Sequence, residues 1–279
     1  MQRPLILVTN DDGITAGGLA TLVSVAGQFG QVLVVAPDSP QSAQGHAITI
    51  ERPLFVKPSE VFGPDVEAYS CSGTPVDCVK LAKSVLLNGR TPDLCVSGIN
   101  HGSNAAINII YSGTMSAAME ASLEGVPSIG FSFLDYAADA DFSVCVPYVA
   151  RLIEFVLTEG MAAGSLLNVN IPQLPADQIR GIKICHQANA RWVEEYQRGE
   201  DPRGRPYYWL TGKFVNNEES PEADANALQA GYVTVVPSQH DLTHYRAYET
   251  LRSVEDRFQV PGATEEGAGG PGTQRLEQF

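Results

Sequence analysis

An open, largely parallel β-sheet covered by helices on both faces is the fold this sequence predicts, and three observations predict it. Short continuous apolar runs alternate with segments of helical period along residues 4–171, the pattern of a sheet built from βαβ units. The first such unit is complete within residues 4–36. Third, 279 residues with 44% apolar and 18% charged side chains suffice for one large core, so a repeat array, a mini-protein and global disorder are all disfavoured.

The elements follow in order. Residues 4–10, Pro-Leu-Ile-Leu-Val-Thr-Asn, are too short for a helix and rich in strand formers, as a strand buried on both faces requires. This run stops at Asp11-Asp12-Gly13. Leu19, Leu22, Val23 and Ala26 then recur at helical spacing, and Gly30 separates them from a second strand at 31–36. Further on, helices are predicted around 75–87, 116–124 and 146–157, and strands at 93–97, 128–133 and 168–171. Beyond 171 the character changes. A charged stretch at 191–205, the aromatic run Tyr207-Tyr208-Trp209 and an apolar run at 231–236 predict short strands joined by polar loops, a hairpin-like extension spanning about 186–245 within one domain of residues 1–258. Residues 259–279 hold five Gly and two Pro and few large apolar side chains, so they are expected to form a disordered tail. The G-x-G-x-x-G spacing at 267–272 has no strand before it and is accidental.

Charge narrows the function classes. With 18 basic against 32 acidic residues the formal net charge is −14, which repels phosphate-rich polymers and disfavours binding to nucleic acid. A small anionic substrate needs a local cation to offset that field. No apolar run is long enough to span a membrane, and no signal-type apolar segment precedes the first strand, so the cytoplasm is the expected location. The five cysteines include no C-x-x-C spacing and are expected to be reduced and mostly buried.

Ligands of such sheets bind beyond the carboxyl ends of the strands. Three of the predicted strands end in polar clusters: residues 10–13, 38–42 and 97–102. Asp11 and Asp12 are adjacent carboxylates that repel one another unless a cation sits between them. Asp11, Asp12, Ser42 and Asn100 supply the hard oxygen donors that Mg²⁺ or Mn²⁺ takes, although an acidic pair in this position also suits the capping of a following helix. Ser112-Gly113-Thr114, ahead of a helix, either cradles an anion on free backbone N–H groups or serves as an ordinary cap. Residues 71–75, Cys-Ser-Gly-Thr-Pro, read mainly as a capped helix entry. His46 is a loop histidine that either meets substrate or packs locally. His240 and His244 have the spacing of a metal pair but lack the glutamate of H-E-x-x-H. The aromatics at 207–209 fit a packed strand better than a base-stacking surface.

Taken together, these blocks resemble the SurE (survival protein E) family of metal-dependent 5′-nucleotidases. The resemblance rests on residues 6–14, 35–38 with Ser42, 45–49, 72–79, 92–100 and 111–114, and more weakly on 201–204, 207–209 and 231–237. It implies a Rossmann-like three-layer α/β/α sandwich with a β-hairpin extension and an exchanged C-terminal element. It also implies one divalent ion, Mg²⁺ or Mn²⁺ with Ca²⁺ a stand-in in crystals, held by Asp11, Asp12, Ser42 and Asn100. Phosphate contacts are implied from Asn100, Ser112, Gly113 and Thr114, with His46 a candidate substrate contact. The implied partners are a small nucleotide, with no nucleic-acid polymer and no membrane, and a second copy or three more in a homodimer or homotetramer. Nucleoside 5′-monophosphates would be hydrolysed to nucleoside and phosphate, with 3′-monophosphates and short polyphosphate as further substrates. Ala106 stands where the family commonly has Gly, which questions the path of the loop before the phosphate turn.

The reaction this implies is attack of water on a phosphomonoester, with Asp11, Asp12 and Asn100 at the reacting centre. A covalent aspartyl-phosphate route generally uses D-x-D, and these carboxylates are adjacent. A nucleotide-sensing module without turnover is the alternative from another class.

Overall fold

The computed structural model describes residues 3–259, and all but the first residue of the tail expected at 259–279 lies outside the described residues. The chain divides into two compact units, the boundary falling between His240 and Asp241.

Eleven strands form in the first unit: β1 (Leu5–Thr9), β2 (Gln31–Pro37), β3 (Val56–Pro58), β4 (Glu67–Cys71), β5 (Leu94–His101), β6 (Ser128–Phe133), β7 (Ser165–Ile171), β8 (Ile182–Ile184), β9 (Ala190–Glu200), β10 (Pro206–Asn216) and β11 (Val233–Gln239). Nine of them make one sheet in the order β3-β4-β2-β1-β5-β6-β7-β11-β8. Pairing is parallel from β4 through to β7, and antiparallel between β3 and β4 and between β7 and β11. The chain leaves β1 toward β2 on one side and returns to place β5 on the other, so the order reverses at β1, where a doubly wound sheet opens its crevice.

Alternation along the strands explains the three layers. Ile6 and Val8 face the helices α1 (Gly17–Phe29) and α4 (Val146–Glu159), packing with Leu19, Leu22, Val149 and Ile153. Leu5 and Leu7 face the other way, into a cluster with Cys78 and Val79 of α2 (Pro75–Leu81) and Ala117 and Ala121 of α3 (Gly113–Leu123). Small residues let α1 approach closely: a Cβ on Gly18 would lie 2.1 Å from the Ile99 carbonyl oxygen.

Several boundaries differ from expectation. The helix predicted to 87 ends at Leu81 and widens into a π-type coil at Ala82–Leu86. Hydrophobic period cannot distinguish the two windings. Strand β5 continues past Ser97 to His101 because a bulge between Ser97 and Asn100 restores its pairing with β6. The predicted extension splits in two. Residues 190–216 form a two-stranded hairpin of 11-residue strands, longer than expected. Then α5 (Asp224–Gln229) leads into β11, which rejoins the main sheet. The aromatics at 207–209 do not pack a core: Tyr207, Tyr208 and Trp209 stand on the hairpin 45%, 60% and 68% exposed, because a two-stranded ribbon has no second layer to cover both faces.

All five cysteines are free and buried. Thr74 and Asp77 form a capping box at α2, the structural role read for residues 71–75. In the second unit, α6 (Tyr245–Arg252) is capped by His244, whose Nδ1 accepts from the Ala247 N–H at 3.1 Å. Among the described residues no three His, Cys, Asp or Glu cluster as a metal site, and no helix is long and apolar enough to cross a membrane.

Candidate active site

At the carboxyl ends of β1 and β5 a cavity of about 720 Å³ brings Asp11, Asp12, Ser42, Asn100 and Ser112 onto one lining. Ninety residues of separation vanish because β1 and β5 are neighbours in the sheet.

The turn after β1 is built by Asn10 rather than by the aspartates. Its buried side chain accepts from the Gly13 N–H and donates to the Gly13 carbonyl. Gly13 has φ +100°, a conformation that favours glycine. Ala16 stands at the N-cap of helix α1 with no side-chain cap, so the acidic pair does not serve as its cap. The loop bearing Ser42 is tied down by the Gln41 N–H donating to the Asp11 carbonyl at 2.8 Å.

Asp11 is 4% exposed. Its Oδ1 accepts from the Thr114 hydroxyl, and its carboxylate lies against Gly113, where a Cβ would sit 2.7 Å from the Asp11 Cβ and 2.9 Å from Oδ2. Burial pushes the Asp11 pKa from 3.8 up to about 6, against the pull of the Thr114 hydroxyl and with a contribution from the neighbouring Asp12 charge. Asp12 is raised too, again chiefly by burial, while His101 draws it down; its Oδ2 accepts from the His101 N–H at 3.4 Å.

Asn100 shows a preference among its own atoms. Its Nδ2 donates to the carbonyls of His101 and Gly102, both at 3.0 Å, which leaves Oδ1 as the atom able to bind a cation. The four candidate ligands therefore offer only oxygen, with two carboxylates and two neutral groups, a set that suits a hard divalent ion. No Lys or Arg is among the residues lining the cavity, and His101 is the one side chain there that can carry a positive charge.

The Ser112-Gly113-Thr114 turn divides its work. The Ser112 hydroxyl accepts from the Met115 N–H and caps α3. Thr114, wholly buried, serves Asp11. Of the first three amides of α3, Met115's is thus taken by Ser112 and Thr114's by Asp11, which leaves Gly113's as the candidate for an anion at the positive end of the helix, although Gly113 and Thr114 are buried and only Ser112 of this turn is on the cavity lining.

His46 is not brought into the cavity lining. Its Nε2 lies 2.8 Å from Glu120 Oε2, and Lys80 pairs with the other oxygen of that buried carboxylate. The His46 hydrogen bond, ahead of Lys80, holds Glu120 below the usual carboxylate range.

The loop between Asn100 and Ser112 is held by a buried amide network. Asn104 N–H donates to Asn170 Oδ1 at 2.8 Å, Asn104 Nδ2 to Ser132 Oγ at 2.8 Å, and Asn168 Nδ2 to the Asn104 carbonyl at 2.8 Å. Ala106 takes a left-handed turn with φ +53°, so the loop follows a path suited to glycine at a strain of about 1 kcal/mol. Its N–H donates to Asp224 Oδ2 at 2.8 Å, while Asp224 Oδ1 accepts from Ala188 and Ala225. Asp224→Asn turns an amide NH₂ toward the Ala106 N–H and is expected to lower stability by about 2 kcal/mol in urea unfolding, the cost of one buried unsatisfied donor.

Sequence reasoning missed His101, Tyr136, Trp192 and Glu194, which also line the cavity. His101 follows Asn100 directly within the polar cluster at 97–102; nothing local marks the other three.

Comparison with known proteins identifies the family. Residues 6–194 match the family model described as Survival protein SurE. A protein of Christiangramia forsetii named 5′-nucleotidase SurE is 56% identical over 253 residues, covering 90% of this chain and 97% of its own. A protein of the same name from Flavobacterium psychrophilum is 53% identical, covering 91% and 98%. The crystal structure of the SurE protein from Aquifex aeolicus superposes with a TM-score of 0.79 at 36% identity, covering 91% of this chain and all of that one. A family model spanning more than half the chain, relatives matched over nearly their full length and a shared fold lead to one statement: the chain belongs to the SurE family.

Proposed function

We propose that this protein hydrolyses nucleoside 5′-monophosphates to nucleoside and phosphate with the help of one divalent ion, Mg²⁺ or Mn²⁺. One observation carries the reading: Asp11, Asp12, Ser42 and Asn100 line the same cavity as Ser112, the residue that caps α3, with no Lys or Arg on that lining. The buried carboxylate of Asp11, the half-buried one of Asp12 and an anionic phosphate are mutually repulsive there, and a bound cation reconciles them.

When bound, such an ion supplies charge neutralisation at the phosphoryl group and an activated water. Asp11 and Asp12 hold it, with Asn100 Oδ1 and the Ser42 hydroxyl completing the protein's share. The free N–H of Gly113 receives a phosphoryl oxygen and stabilises the charge that builds on it. Thr114 fixes the carboxylate of Asp11, and the bulged end of β5 aims Asn100. Exposed Tyr208 and Trp209 on the hairpin support assembly into a homodimer or homotetramer, which light scattering checks.

The test is phosphate release from a panel of nucleoside 5′- and 3′-monophosphates. Activity is expected with Mg²⁺ or Mn²⁺, is lost in EDTA, and returns when the ion is added back in excess. Nucleotide binding without release, at the level of an Asp11→Asn control, would make the protein a sensing module instead.

A further inference from the structure

The cavity has a second wall that the phosphate chemistry leaves unused. It is formed by the β9–β10 hairpin, through Trp192, Glu194, Leu210, Thr211 and Gly212. Trp192 and Glu194 are two residues apart on β9 and so share a face of the ribbon. The register sets Phe214 opposite Trp192 and Gly212 opposite Glu194. Gly212 contributes no side chain to this wall, and a Cβ there would lie 2.6 Å from the Val193 carbonyl oxygen of the paired strand.

The indole itself is anchored. Its Nε1–H donates to Asn108 Oδ1 at 2.8 Å, and the ring meets Phe214 edge-on with centroids 5.5 Å apart. Even so, Trp192 is 46% exposed. An aromatic ring fixed on its neighbours yet open to a cavity loses little freedom when a flat ligand settles on it. Tyr136 also lines the cavity and is 76% exposed; its ring packs onto Gly102, and its hydroxyl accepts from the Ser103 N–H at 3.4 Å, a longer bond than the 2.8 Å that holds the indole. The Glu194 carboxylate repels a second anion at this wall, so an uncharged heterocycle fits it better than another phosphate.

We propose that Trp192 is a specificity-determining residue, the platform on which the nucleobase stacks while the phosphate sits at the start of α3. This rests on the phosphomonoesterase reading above.

Wild type, Trp192→Ala and Trp192→Phe are compared on a nucleoside 5′-monophosphate and on ribose 5-phosphate, which keeps sugar and phosphate but lacks the base. Loss of one base–aromatic stack predicts a KM for the nucleotide raised roughly tenfold in Trp192→Ala, kcat within about twofold, kcat/KM for ribose 5-phosphate unchanged, and recovery in Trp192→Phe. Equal losses on both substrates, or none on either, overturn the proposal. A binding readout keeps the two readings apart. The chain has two tryptophans, so Trp209→Phe leaves Trp192 as the sole indole, and its fluorescence is quenched by the nucleotide but not by ribose 5-phosphate. Absence of that quenching sinks the platform, whereas wild type that quenches yet releases no phosphate from either ester sinks the hydrolytic reading alone.

Discussion

Asp11→Asn is expected to abolish phosphate release, by about 10³-fold or more, while making the metal-free protein more stable. The first effect follows from removing the most buried charge that holds the ion; losses of this size accompany deletion of one charge-stabilising group at a reacting centre. The second follows from linkage. Burial raises the Asp11 pKa from 3.8 to about 6 in the folded protein, so between those values the folded state holds a proton that the unfolded chain has given up. Stability is therefore greatest below pH 4 and falls as the pH rises through 6. The penalty at neutral pH is on the order of 3 kcal/mol. Thermal unfolding in EDTA at pH 7 checks this: the asparagine variant is expected to melt higher than wild type, with the gap closing near pH 4 and reversing when Mg²⁺ or Mn²⁺ is present. A lower Tm for the variant in EDTA would falsify the claim that an uncompensated carboxylate strains the fold.

Gly113→Ala carries the second largest effect. The added methyl would sit 2.7 Å from the Asp11 Cβ, and the carboxylate must move to admit it. Because Thr114 grips the same carboxylate, the shift spreads to the start of α3. A displacement near 1 Å at a reacting centre costs about 10²-fold in rate. Helical φ at this position suits alanine, so the variant is expected to fold, with circular dichroism unchanged and the loss confined to turnover and metal affinity. Activity within a few-fold of wild type would show that Asp11 needs no such confinement.

The parts of the fold and site legible in the sequence share a property. Asp11, Asp12 and Asn100 each follow a continuous apolar run, and such runs mark strands whose carboxyl ends must converge in a doubly wound sheet. Ser42 was legible for the same reason, one loop beyond β2. Thr114 was legible as polar and near a helix start, but its pairing with Asp11 depends on a side chain 103 residues away. Trp192 and Glu194 show the opposite limit. Period-2 spacing places them on one face of a strand, yet nothing local says which face meets a cavity and which meets water. The aromatics at 207–209 erred from the same cause: strand propensity describes a half-buried surface, and whether a second layer exists to bury it is decided elsewhere in the chain.

The hairpin that walls one side of the cavity is a ribbon of only two strands, whereas the opposite side is anchored in the nine-stranded sheet. Isolated two-stranded ribbons are marginal in water, so amide hydrogens of β9 and β10 should exchange with deuterium far sooner than those of β1 and β5. On the proposed reading, one half of the chamber is then stiff where the phosphate is held, and the other pliant where the base is stacked. An enzyme so divided holds its chemistry constant and tolerates variety in what it releases.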